Sequence, residues 1–73
     1  MSNSPVKKFR IGFVTASIWK NDGTGDRSFF TVDLQRTYKD GDGELKNTNS
    51  MNVSDLLNAA RVLTRAEAYI ADQ

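Results

Sequence analysis

The sequence predicts an α+β domain: a curved antiparallel sheet of four strands followed by one long C-terminal helix. Three observations predict it. Apolar and polar residues alternate through the first half of the chain, the period of half-buried strands. Two clusters of Asp, Asn and Gly interrupt that alternation. After Ser54 the period becomes helical, and neither glycine nor proline follows.

The elements follow in order. Phe9, Ile11 and Phe13 alternate with Lys8, Arg10 and Gly12. The apolar phase then flips to Val14, Ala16 and Ile18, with Thr15, Ser17 and Trp19 opposite. A flip beside Gly12 implies a bulge or bend, giving two short strands or one long bent strand over residues 7–20. Residues 21–26 have turn composition, with Gly23 and Gly25 able to take positive φ. In the next strand, residues 28–38, Phe30, Val32 and Leu34 share one face with Arg36 and Tyr38, while Thr31, Asp33 and Gln35 share the other. Two Asp-Gly pairs in residues 39–43 imply a hairpin, and residues 44–51 supply the return strand, marked by Leu45 and Met51.

Ser54 is the expected N-cap, with Asp55 in the positive first turn, and the helix is expected over residues 53–71. Leu56, Leu57, Ala60, Leu63 and Ile70 form one apolar stripe, and Ala59, Val62, Ala66 and Tyr69 form another beside it. Together they are broader than one small sheet needs.

At 73 residues there is room for one domain, expected over residues 7–73 after a tail, residues 1–6, without fixed structure. Such a chain buries only about 60% of its unfolded surface, and a core of this size supplies about 3–5 kcal/mol. Cysteine and histidine are both absent, which excludes disulfides, thiolate metal sites and the commonest general base. Self-association is the stabilising device that remains. A homodimer is therefore expected, its interface formed by Leu56, Ala59, Val62, Leu63, Ala66, Tyr69 and Ile70.

The net charge of +1 hides an asymmetry. Lys7, Lys8, Arg10 and Lys20 give the first twenty residues +4 with no acid, and the other fifty-three carry six basic and nine acidic residues, −3. This implies one modest basic surface. No targeting or membrane-spanning stretch is read, so a soluble intracellular protein, in cytoplasm or nucleoid, is expected.

Catalysis finds little support. Asp33 and Glu44 are two carboxylates without a spacing that argues for acid–base work. Asp40, Asp42, Gly43 and Glu44 suggest a calcium loop, but Leu45-Lys46-Asn47 break its pattern. The glycines near Asp22 do not join a strand to a helix, as a phosphate loop would. No enzyme activity, metal or cofactor is expected. Binding is better founded: Trp19 stands beside Lys20, and Tyr38 stands between Arg36 and Lys39. Aromatics that stack bases among cations that track phosphates are the means of sequence-tolerant single-strand binding.

The order of elements and several local strings resemble the positive cofactor four family, transcriptional coactivators that bind single-stranded DNA. Phe9-Arg10-Ile11-Gly12 is similar to the family's F-x-I-G first strand, and Ala16-Ser17-Ile18 to its second. Val32-Asp33-Leu34, Tyr38 and the turn running into Glu44-Leu45-Lys46 resemble its third strand, aromatic strand end and Gly-Glu turn. Met51-Asn52-Val53-Ser54 is similar to the approach to its long helix, so that the likeness spans residues 9–70.

The resemblance implies a homodimer with an open basic surface for single strands. Tyr38, where the family has tryptophan, would stack a base, and Lys46 would meet a phosphate. Trp19 falls where the family has a basic residue. The chain carries fewer cations in its second and third strands than the family does and a longer turn between them, which implies weaker binding with a flatter salt response. The expected nucleic-acid-binding set is Lys7, Lys8, Arg10, Trp19, Lys20, Arg36, Tyr38, Lys39 and Lys46, with single-stranded DNA or RNA as ligand and transcription or replication proteins as further partners. The competing expectation is a dimeric protein-interaction module presenting Trp19 and the helix stripe.

Overall fold

A computed structural model of the 73-residue chain describes residues 4–23 and 28–73. Strands β1 (Lys7–Ile11), β2 (Val14–Asp22), β3 (Ser28–Lys39) and β4 (Leu45–Thr48) form one open antiparallel sheet in the order β1-β2-β3-β4. A 3₁₀ turn, Val53–Asp55, leads into helix α1, Leu56–Ala71. The α+β class, the four strands and the C-terminal helix are those read from the alternation and the change of period.

The phase flip at Gly12 has a different cause from a bulge. Ile11 pairs with Val14, so Gly12 and Phe13 form a two-residue hairpin turn. Such a turn puts residues three apart in sequence on the same face, and that alone inverts the alternation. Gly12 has φ +62 and Phe13 does not share the positive sign, the pattern of a type II′ turn. Glycine is also required by space: a Cβ here would come 3.0 Å from Nδ2 of Asn58. Phe13, expected on the core face, stands at the hairpin tip and is 63% exposed.

The turn between β3 and β4 is organised by Asp40. Its Oδ1 accepts the N–H groups of Asp42 at 2.9 Å and Glu44 at 3.0 Å, while its own N–H donates to the Glu44 carbonyl at 2.9 Å. Gly43, with φ +80, makes the chain reversal possible. Of the turn expected at residues 21–26, Asn21 and Asp22 belong to β2 instead. Thr24 to Arg27 lie outside the described residues. So do residues 1–3 of the expected tail, whereas the Val6 N–H donates to the Ile18 carbonyl at 2.8 Å.

The core joins one strand to one helical stripe. Val14, Ala16 and Ile18 of β2 and Ala59, Val62 and Ala66 of α1 are buried, and Phe9, Ile11, Phe30, Leu34, Met51, Tyr69 and Ile70 pack around them. Three of the six buried residues are alanines, and such small side chains let a helix approach a sheet closely. Ala59, Val62 and Ala66 are therefore covered within the chain and leave the expected dimer interface. Tyr69 and Ile70 are half-buried against the same core. Leu56 and Leu63 are exposed, as is Leu57 beside them.

The helical segment starts at Val53 as expected, but its cap differs. Asn52, not Ser54, caps the first turn. The Asp55 N–H donates to the Asn52 carbonyl at 2.9 Å, and the Asn52 N–H donates to Asp55 Oδ2 at 3.2 Å. Ser54 lies inside the turn, whereas Asp55 is in the first turn as expected.

Candidate functional site

Register separates the two aromatics that the sequence groups together. Ile18 pairs with Val32 and faces the helix, so Trp19 points to the other face. Tyr38 lies six residues after Val32 in β3, on the Val32 side. Trp19 and Tyr38 therefore occupy opposite faces of the sheet and cannot form one stacking platform.

One concavity brings several of the expected residues together. Arg10, Arg36, Tyr38 and Lys39 line a cleft of about 570 Å³, a size typical of small-ligand sites. Phe13, Thr37 and Leu45 complete its strand side, and Asn52, Ser54 and Asp55 bring in the start of the helix. Tyr38 and Lys39 are consecutive strand residues, so the cleft wraps the end of the sheet rather than lying on one face.

Four contacts explain the convergence. The Thr37 N–H donates to the Phe13 carbonyl at 2.9 Å and holds the β1–β2 hairpin tip against β3. Arg10 Nε donates to the Gly12 carbonyl at 2.9 Å, which turns a side chain from the helix-free face toward the tip. Arg36 Nε donates to the Ser50 carbonyl at 2.9 Å and lies 3.5 Å from Asp55 Oδ2, joining β3 to the start of the helix. The Arg36 guanidinium also lies 5.5 Å from the centre of the Tyr38 ring, within cation–π range.

The cleft's charges are three cations and one carboxylate, a local balance of +2. Arg36 is paired with Asp55, and among the described residues Arg10 and Lys39 are in no ion pair. Phe13, Leu45 at 70% exposure and Tyr38 at 36% give the cleft apolar and aromatic surface. This combination suits a planar, apolar ring carrying an anionic group.

The other expected binding residues lie elsewhere. Lys7 is on the helix side, 5.5 Å from the Phe9 ring centre, and Lys8 is on the helix-free face opposite Ser17. Lys20 lines a second concavity of about 510 Å³ with Val6, Phe30, Tyr69 and Gln73. Lys46, cross-strand from Tyr38, is paired with Asp40 at 3.3 Å. The Glu44 N–H does most to hold the Asp40 carboxyl below its usual pKa, and Lys46 and the Asp42 and Gly43 N–H groups add to it against the opposing effect of desolvation. Trp19 is half-buried beside Thr31, whose Oγ1 accepts the Asn21 amide at 3.0 Å.

The sequence reading missed Phe13, Thr37, Leu45, Asn52, Ser54 and Asp55 as members of this site. Phe13 carried a usable signal, since an aromatic in a two-residue turn has no core to enter. Asn52 and Asp55 read only as helix-start residues, because strand-to-helix proximity is a tertiary fact. Asp33 and Glu44 do not converge: Asp33 pairs with Ser17 in mid-sheet, and Glu44 lies in the last turn. Among the described residues no group of acidic side chains forms a metal site, and no helix is long and apolar enough to cross a membrane. The chain matches no family model, no curated protein and no solved structure.

Proposed function

We propose that this chain is a sequence-tolerant single-stranded DNA-binding protein, acting in transcription coregulation or DNA maintenance. The observation that carries the reading is the meeting of Arg10, Arg36, Tyr38 and Lys39 in one cleft with Phe13 and Leu45. A base stacks on the Tyr38 ring, which the Arg36 guanidinium backs, and Arg10 and Lys39 draw the phosphates on either side. Lys46 and Lys8 extend the field from outside the cleft. Trp19, on the other face, is a second contact surface rather than part of this one.

The protein acts as a homodimer in this reading, with the exposed Leu56, Leu57 and Leu63 meeting a second copy. Titration of labelled single-stranded and double-stranded oligonucleotides at two salt concentrations tests it. Tighter binding of the single strand, weakened by salt, is expected. Binding of neither at low salt would sink the proposal and favour the protein-interaction module. An RNA strand of the same sequence, bound more tightly than the DNA, would change the ligand but keep the cleft.

A further inference from the structure

We infer that the cleft discriminates at one base position, favouring bases with an exocyclic amino group over thymine and uracil, and that Asp55 is the residue that reads the difference. This rests on the single-strand reading above and restricts its tolerance at one position only.

Asp55 is the one carboxylate in the lining of an otherwise cationic and aromatic cleft. Its side chain is only 14% exposed. Oδ2 is held from two sides, by the Asn52 N–H at 3.2 Å and by Arg36 Nε at 3.5 Å. Those partners fix the carboxylate through Oδ2, and Oδ1, with no donor among the described residues, is left open to solvent. A fixed carboxylate with one oxygen uncommitted thus belongs to a residue that lines the same cleft as the Tyr38 stacking ring.

The chemistry of base edges does the rest. Cytosine N4, adenine N6 and guanine N2 carry amino hydrogens, and carboxylates accept from cytosine N4 in groove readout. Thymine and uracil place the O4 carbonyl where cytosine has its amino group. At that edge two acceptors then face each other in a partly desolvated site, and thymine satisfies the carboxylate only by shifting to present its N3–H, at the expense of its stacking position. Arg36 cancels the charge that would otherwise make Asp55 repel neighbouring phosphates.

The experiment compares homopolymers of 5-methyl-deoxycytidine and thymidine on the wild-type chain, at mildly alkaline pH where cytosine carries no proton. The two bases share the ring methyl and differ around the 4-position. The 5-methylcytosine strand should bind about tenfold tighter, and Asp55→Asn should erase most of that ratio. Asp33→Asn, on the helix-free face, should leave it unchanged. Equal binding of both strands by the wild type overturns the inference and leaves the single-strand reading intact. Binding of neither strand overturns both. Asp55 also supports the first helical turn, so circular dichroism of the Asp55→Asn variant accompanies the titration, and the wild-type comparison stands without any variant.

Discussion

The Arg36 side chain lies 3.5 Å from the Asp55 carboxylate, and this contact joins the third strand to the first turn of the helix. Both side chains are less than one-fifth exposed, and Arg36 also donates to the Ser50 carbonyl. Arg36→Ala leaves a mostly buried carboxylate without its ion-pair partner and a carbonyl without its donor, so it should cost about 1–3 kcal/mol. For a domain this small that is a melting-temperature drop of roughly 4–8 °C per kcal/mol. Arg36→Lys should recover only part, because a lysine ammonium does not reproduce the Nε geometry. Differential scanning calorimetry of both variants measures this, and an unchanged melting temperature for Arg36→Ala would mean the link carries no stability.

Gly12 is constrained twice, by φ +62 and by Asn58 at 3.0 Å from any Cβ. Gly12→Ala should therefore destabilise by about 1–2 kcal/mol from the backbone alone, with a further loss from the contact. The double variant Gly12→Ala with Asn58→Ala opens the space and should recover the second part only. Urea midpoints of the two variants separate the contributions. Equal midpoints would show that Asn58 moves aside without cost.

Opposite placement of Trp19 and Tyr38 gives the binding proposal a sharp internal control. Tyr38→Ala should weaken single-strand affinity by about 1–3 kcal/mol, the stacking of one base, without unfolding the chain. Trp19→Ala should change affinity for a strand short enough to fill only the cleft far less. With Arg10 and Lys39 the cleft's two cations outside ion pairs, log K should fall with log salt at a slope of about −1 to −2. A steep slope, or a larger effect from Trp19 than from Tyr38, would move the site to the helix-free face.

Asp40 sets the acid response of the β3–β4 turn. Its folded pKa lies below the ordinary 3.8, so the stability it adds is fully present above that value. It is lost as pH falls from there through the lowered folded value. Asp40→Asn keeps an oxygen acceptor for the Asp42 and Glu44 N–H groups but removes the titration and the charge facing Lys46. The variant should be less stable than wild type at neutral pH, and the two should converge in acid. Urea midpoints at neutral pH and below pH 3.8 test this; parallel loss in both would assign the acid sensitivity to other carboxylates.

The strands and the helix were legible because each carries its own period, and the β3–β4 turn because Asp40 and Gly43 have local conformational reasons to be there. The phase flip at Gly12 was visible too, but a bulge and a two-residue hairpin leave the same trace in one strand, and only the partner strand distinguishes them. The split of the binding set was latent in the alternation. Trp19 next to Ile18 and Tyr38 in phase with Val32 already imply opposite faces, once β2 and β3 are known to pair. What no local pattern contains is the approach of Asn52 and Asp55 to Arg36, which depends on where the helix lands. The same applies to the two helix stripes: their composition is similar, and packing alone decides that Ala59, Val62 and Ala66 face inward.

That assignment of stripes turns the self-association proposal into a test with two different outcomes on one helix. Val62 is fully buried, so Val62→Asp places an uncompensated carboxylate in the core. Such a burial costs about 3–5 kcal/mol, comparable to the whole net stability of a domain this size, and the variant should be unfolded. Leu63, the next residue, is 41% exposed, and Leu63→Asp should leave the circular dichroism spectrum native. Sedimentation should then report a dimer for wild type and a folded monomer for Leu63→Asp. A folded dimer after Leu63→Asp would locate the interface away from the helix. The clear alternative is the free edge of β3, where β4 pairs only with Arg36–Lys39, because Phe29 and Val32 are exposed beside backbone without a strand neighbour among the described residues.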